Sequence, residues 1–282
     1  MMKDKSYLKK LLNKNIFWHL ILLIFVIISL MPIIWMISTA FKTPQEIFGT
    51  ELNIIPSNPT LNNFIKLEKG FNIVQIILNT FIVATLLTLS RTFTGLLAAY
   101  GFARFNFPFK KLLFFLCIVT LFVPIQVVMI SNYLLISKLG LINNFLGVVL
   151  PQFAHAFAFF LLYQHLMVFP EEIIEAASID GAGRIAILFK IVIPCIRPAL
   201  IAVSIIMFIN SWNQYVWPSI ILRKPEYMTL PIWLRHFMHA EAGLSWGLLM
   251  AASLIGVFPV LFLYIFAHRK IIDTFVGSGV KG

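Results

Sequence analysis

Acidic residues are scarce in this chain: 11 Asp and Glu in 282 positions, none of them inside any of its six long apolar runs. Carriers driven by protons or sodium commonly need ionisable groups at membrane depth, so this scarcity argues against a coupled secondary carrier. Cysteine is nearly missing too. Cys117 and Cys195 lie in or beside apolar segments and give neither a disulfide framework nor metal-ligand spacing. No Walker A sequence occurs, so the chain is not expected to hydrolyse ATP itself. Gly181-Ala182-Gly183 with Ala186 mimics a Gly-rich dinucleotide turn, yet an acidic helical stretch precedes it where a strand would be needed. The histidines, His155, His165, His236 and His239 among them, show no ligand spacing tied to acids. Nothing resembles a repeated filter loop or a ring of charges, which speaks against a channel. No acid, histidine and nucleophile set converges, so no catalytic, cofactor-binding or metal-binding residue is expected, and an integral-membrane enzyme is disfavoured.

What the chain has in abundance is apolar surface. Hydrophobic residues make up 60% of it, 28 are Phe, only 12% are charged, and the mean hydropathy is +0.92. So little polar surface cannot cover a water-soluble globule, and the solvent for most of the chain must be lipid. The formal charge of +11 does not indicate nucleic acid. The basic residues are scattered between apolar runs instead of gathering on one domain, as membrane orientation requires.

The order of segments follows from those runs. Residues 1–15 are polar and Lys-rich, and 16–40 form a first span, longer than the roughly 7–15 apolar residues of a signal-peptide core. Residues 41–72 read as an external loop with three prolines. Further spans are predicted at about 73–100, 112–135, 145–167, 199–222 and 244–267, with a tail over 269–282. The N-terminus, the 101–111 loop, the 169–198 segment and the tail hold 14 Lys and Arg, the loops on the opposite side hold 7, and Arg91 lies within a span. That bias places both termini and the 169–198 segment in the cytoplasm.

The longest interruption in the second half is FPEEIIEAASIDGAGRIAILFKIVIPCIRP, Phe169 to Pro198. Pro170 followed by Glu171 and Glu172 is a helix start, since acids there oppose the positive end of the macrodipole. The helix is expected to stop at Asp180-Gly181, where glycine tolerates a left-handed C-cap. Ile173, Ile174 and Ala177 share one face, with Glu171, Glu175 and Ser178 on another. A second helix is predicted from about Gly183 to Val192, halted by Pro194. The pair makes a compact knob on the membrane surface, either a resting place between spans or a docking site. Arg91 is expected to snorkel or to form a structural pair. Asn79, Gln126, Gln152, Asn210, Asn213 and Gln214 must find partners in lipid, helix-to-helix bonds being the default. SWNQYVWP, Ser211 to Pro218, mixes amides with Trp212, Tyr215 and Trp217, and suits either a polyol path or an interfacial aromatic belt.

Glu175-Ala176-Ala177, Asp180-Gly181-Ala182, Phe189, Ile193-Pro194 and Pro198 resemble, position by position, the EAA loop of ABC importer permeases. Asn79-Thr80, Ala99-Tyr100-Gly101-Phe102-Ala103-Arg104-Phe105, Trp212-Asn213, Leu230-Pro231 and the closing Gly279-Val280-Lys281-Gly282 extend the likeness over nearly the whole chain, to the carbohydrate-uptake branch and its maltose-type smaller permease. The resemblance implies an all-α integral membrane protein of six spans with the type-1 permease fold, its core over residues 73–268, in the cytoplasmic membrane of a prokaryote. It implies a second homologous permease, two ATPase subunits and an extracytoplasmic solute-binding protein as partners, with ATP and Mg on the ATPases and no cofactor on this chain. By the same likeness Glu175, Ala176, Ala177, Asp180, Gly181, Ala182, Phe189 and Pro194 couple to the ATPase, and Gly279, Val280 and Lys281 contact it from the tail. Asn210, Trp212, Asn213, Gln214 and Tyr215 are candidates for the solute path. The WNQY-WP wording also resembles glycerol-3-phosphate permeases.

Overall fold

Every regular element among the described residues is helical, as apolar runs with few interruptions require when backbone groups must be satisfied inside lipid. The computed structural model of the chain describes residues 3–50, 53–238 and 245–276, with side chains for 16–50, 53–238 and 245–265. Gly279, Val280 and Lys281, and with them the expected tail contact, lie outside the described residues, as does His239.

In chain order, α1 (Lys3–Ala40) carries the first apolar stretch, and α2 (Pro44–Ile47) and α3 (Asn62–Gly70) fall within the segment read from sequence as a loop. Next come α4 (Ile73–Arg104), α5 (Lys110–Val119) with a closing 3-10 turn, α6 (Ile125–Lys138), α7 (Phe145–Val149) with a 3-10 turn ending at Gln152, and α8 (Ala156–Met167). The knob supplies α9 (Glu171–Ile179), α10 (Arg184–Ile187) and α11 (Ile193–Cys195), and the chain continues through α12 (Arg197–Trp212), α13 (Val216–Ile221), α14 (Leu230–His236) and α15 (Trp246–Val276).

Three helices are long and apolar enough to cross a membrane alone: Ile16–Ala40, Ile73–Arg104 and Trp246–Ile265. Three further crossings require bent pairs, and here the expectation of smooth spans fails. The predicted 112–135 span is bent by 97° between α5 and α6, because Pro124 forces extended backbone on the residue before it. The 145–167 span is bent by 51° between its 3-10 turn and α8. The 199–222 span stops at Trp212 and resumes at Val216, since Pro218 cannot donate to the carbonyl one turn back. Pro194 does not halt the second knob helix as expected. A π-turn over Leu188–Val192 widens the ladder ahead of it, so the proline sits in the first turn of α11. The bend comes later, 80° at Ile196.

Contacts divide the chain into two compact units, Met1–Asn72 with His236–Val257, and Ile73–Arg235 with Phe258–Gly282. In the first, the apolar window of α1 is not buried at all by the rest of the chain. Asn63 holds the end of that helix: its amide donates to the Ala40 carbonyl at 2.9 Å and the Lys42 carbonyl at 3.0 Å, two groups a helix end would otherwise leave unpaired. A Cβ on Gly247 would meet the Asn63 side chain at 2.8 Å, so glycine alone lets α15 pass. In the second unit α4 packs along α8 and α12. The close approach of α4 and α8 depends on Gly95, where a Cβ would stand 3.0 Å from the Phe159 nitrogen.

Candidate coupling site and membrane path

The knob is built as its sequence dictates. Glu171 and Glu172 occupy the first turn of α9, and Asp180 caps its end. Gly181 has φ +84°, its N–H donating to the Ser178 carbonyl at 3.1 Å and the Ala182 N–H to the Ala177 carbonyl at 3.0 Å. These two bonds are a Schellman closure, which needs the left-handed residue that glycine supplies. No atom lies within 4 Å of a Cβ at that position, so the constraint is conformational rather than steric.

One face of α9 is anchored and the other is free. Ala177 is buried and joins a core cluster with Leu166, Ile187 and Leu188, against which Ala182 packs. Glu175, Ala176, Asp180, Gly181, Phe189 and Pro194 are exposed, and Ile179 is 86% exposed. The eight coupling candidates therefore divide. Ala177 and Ala182 tie the knob to the bundle, while the remaining six are presented outward beside an unburied isoleucine. Arg104 anchors the segment from below, donating to the carbonyls of Leu166 at 2.9 Å and Phe169 at 2.8 Å and lying 5.6 Å from the Phe169 ring centroid. Arg184 lies 5.1 Å from the Phe105 ring, and the Tyr100 hydroxyl donates to the Arg184 carbonyl at 3.4 Å.

Arg91 does not snorkel. It is 4% exposed; Nε donates to the Gln152 carbonyl at 3.1 Å, Nη2 to Gln152 Oε1 at 2.8 Å and Nη1 to Ser211 Oγ at 3.1 Å. The Gln214 amide also donates to Gln152 Oε1. Among the described residues no carboxylate pairs with Arg91. Gln152 closes the 3-10 turn after α7 and Ser211 lies in the last turn of α12, so the guanidinium meets neutral oxygen acceptors near two helix C-terminal ends, where the backbone dipole favours a cation. The side chain thus joins both broken spans to α4. Neither Gln152 nor Ser211 was assigned to it from sequence.

The suspected path residues also divide. Trp212 is 2% exposed and stacks on Phe208 with centroids 5.8 Å apart, so its face is unavailable to a solute. Trp217 is equally buried, its indole donating to the Val148 carbonyl at 3.2 Å. Gln214 is held by Gln152. Asn210, Asn213 and Tyr215 remain accessible at the break between α12 and α13, with Arg235 6.0 Å from the Tyr215 ring. Asn79 bonds loop backbone instead of another helix, donating to the carbonyls of Glu226 at 2.9 Å and Met228 at 3.0 Å, while Thr80 accepts from the Leu230 N–H at 2.8 Å.

Comparison with known proteins agrees with this architecture. The family described as binding-protein-dependent transport system inner membrane component matches residues 91–272. The chain is similar to the arabinooligosaccharides transport system permease protein AraQ of Halalkalibacterium halodurans, with 31% identity over 259 residues, 90% of this chain and 92% of that protein. It is similar to the sn-glycerol-3-phosphate transport system permease protein UgpE of Brucella abortus, with 27% identity over 93% of this chain and 96% of the relative. A chain from a bacterial ABC transporter involved in the import of the acidic polysaccharide alginate has the same fold, with TM-score 0.80 and 20% identity over 90% of this chain and 95% of that one.

Proposed function

Because the chain belongs to the family of binding-protein-dependent transport system inner membrane components, we propose that it is the permease subunit of an ATP-driven importer carrying a sugar or sugar-like polyol across the cytoplasmic membrane. A separate ATPase, holding ATP and Mg, docks on the 169–198 segment. A second homologous permease completes the pore, and an extracytoplasmic binding protein delivers solute. The observation that carries this reading is the split face of α9: Ala177 buried in the bundle, Glu175, Ala176 and Ile179 exposed. A helix gripped on one face and bare on the other can receive a partner's movement and pass it inward. The sugar rests on the AraQ likeness. Import of glycerol-3-phosphate by the same architecture is the second reading, favoured by the UgpE likeness.

Glu175→Lys and Gly181→Val are expected to leave membrane insertion intact and to abolish recovery of the ATPase in detergent pull-downs. Normal recovery with both variants would sink the docking role. Competition of unlabelled arabinooligosaccharide and glycerol-3-phosphate for uptake in proteoliposomes of the complete importer separates the two solutes.

A further inference from the structure

The first unit holds a partly open cavity of about 350 Å³, lined by Trp35 and Thr39 from the end of α1, Lys42 just beyond it, Glu46 from α2, and Trp246 and Met250 from the start of α15. That volume is at the small end of sites for small molecules. Both helices meet it where their apolar stretches end, Ile16–Ala40 at its close and Trp246–Ile265 at its opening, so the cavity lies at the membrane interface opposite the Lys-rich N-terminus. A pair of indoles at that level would ordinarily be part of an aromatic belt. The recessed polar atoms between them are not accounted for by a belt.

Lys42 is 3% exposed and committed: its ammonium donates to the Asn53 carbonyl and lies 5.0 Å from the Trp35 ring centroid. Glu46 accepts the Ser57 N–H on Oε1 at 2.7 Å, but its Oε2 is buried and has no partner among the described residues. Thr39 is 4% exposed, and its hydroxyl has none either. A buried carboxylate oxygen without a donor is costly, and a cation relieves it best. Trp246 lines the same cavity, and an indole face attracts a cation as well.

We propose that this cavity seats the headgroup of an outer-leaflet aminophospholipid. The primary ammonium donates to Glu46 Oε2 against the Trp246 indole, and the phosphate accepts from the Thr39 hydroxyl on the side of Lys42. The wall's unpaired carboxylate oxygen calls for a cationic donor and its unpaired hydroxyl for an acceptor, which a zwitterion supplies together, whereas a neutral saccharide would leave the carboxylate's charge unmatched. Supply favours lipid too, since the apolar window of α1 is wholly unburied.

The test places the full-length chain in nanodiscs of phosphatidylethanolamine, phosphatidylcholine and phosphatidylglycerol and measures tightly held lipid by mass spectrometry after a detergent wash. The trimethylammonium of phosphatidylcholine cannot donate a hydrogen bond. Ethanolamine lipid should therefore be enriched over choline lipid by about tenfold in the wild type, the worth of one charge-assisted bond. Glu46→Gln should return the ratio to that of the bulk, and Thr39→Val should lower it partway. Trp246→Leu gives a further reading should the Glu46 variant fail to insert. A bulk ratio in the wild type, or enrichment unchanged in these variants, overturns the proposal. So does saturation transfer to arabinotriose that Glu46→Gln abolishes, which would make the cavity a saccharide site.

Discussion

Replacing Arg91 with Met removes a buried charge from the middle of the second unit, and two opposed effects set the outcome. Apolar replacement of a whole buried ion pair is often neutral or stabilising by about 1–4 kcal/mol, because the desolvation penalty disappears. Here the partners stay behind. Gln152 Oε1 keeps the Gln214 amide, but the Gln152 carbonyl and the Ser211 hydroxyl lose their donor from Arg91. Each buried group left unpaired costs about 1–3 kcal/mol. Neutral pairs in membranes average only about 0.6 kcal/mol, yet charge-assisted bonds are roughly twice as strong as neutral ones. The unpaired groups should win, leaving Arg91→Met about 2–3 kcal/mol less stable. Arg91→Lys should fall between, since one ammonium cannot reproduce a fork that grips both the Gln152 carbonyl and its side chain. The measurement is SDS unfolding of the purified chain in mixed micelles, with Arg91→Met, Ser211→Ala and the double variant forming a cycle. A coupling of about 1 kcal/mol is expected. The reasoning is refuted if Arg91→Met is as stable as the wild type and the two substitutions simply add.

Gly95→Leu should lower the same unfolding midpoint by the equivalent of about 1–3 kcal/mol, because α4 cannot back away from α8 without disturbing its own arginine contacts; an unchanged midpoint would mean the helices separate freely. Arg104→Gln releases the carbonyls of Leu166 and Phe169, and hydrogen exchange at the start of α9 should accelerate while the middle of α12 keeps its protection. Gly247→Ala pushes a methyl into the Asn63 amide and should cost about 1–2 kcal/mol. Asn63→Ala should cost a similar amount, and the pair should be non-additive because both substitutions break the same two bonds to the end of α1.

The knob was legible because its instructions are local. Pro170 with two glutamates starts α9, Gly181 ends it, and the spacing of Ile173, Ile174 and Ala177 named the face from which Ala177 is buried. The six apolar runs were equally plain. Their bends were not, since Pro124 and Pro218 mark where a helix cannot continue without fixing the angle at which it resumes. Arg91 stood out as a charge in a span, but its partners lie 61 and 120 residues away, and only tertiary packing selects them. Trp212 and Trp217 read as possible contact surface and are core, because an aromatic ring at helical spacing carries no mark of which face it occupies. The cavity beside Glu46 left no sequence signal at all; it depends on which polar atoms packing leaves unpaired.

The two arginines of α4 have a joint mechanical consequence. Arg91 and Arg104 are thirteen residues apart, about 20 Å along the helix, and both bond carbonyls that bracket α8: Gln152 just before it, Leu166 and Phe169 at its far end. Between them Gly95 brings the two backbones into contact. Held at both ends and pressed together in the middle, α4 and α8 have little freedom to slide. Phe169 directly precedes Pro170 and the first turn of α9, so one side of the knob is attached to this stiff pair. The other side leads through the π-turn at Leu188–Val192 to the break at Ile196, where the helical ladder is already loosened. On the proposed docking of an ATPase, a push on the bare face of α9 would meet resistance on the first side and compliance on the second. Movement should therefore be transmitted along α4 and α8 toward the Arg91 junction, with the adjustment in backbone angles taken up between Leu188 and Ile196.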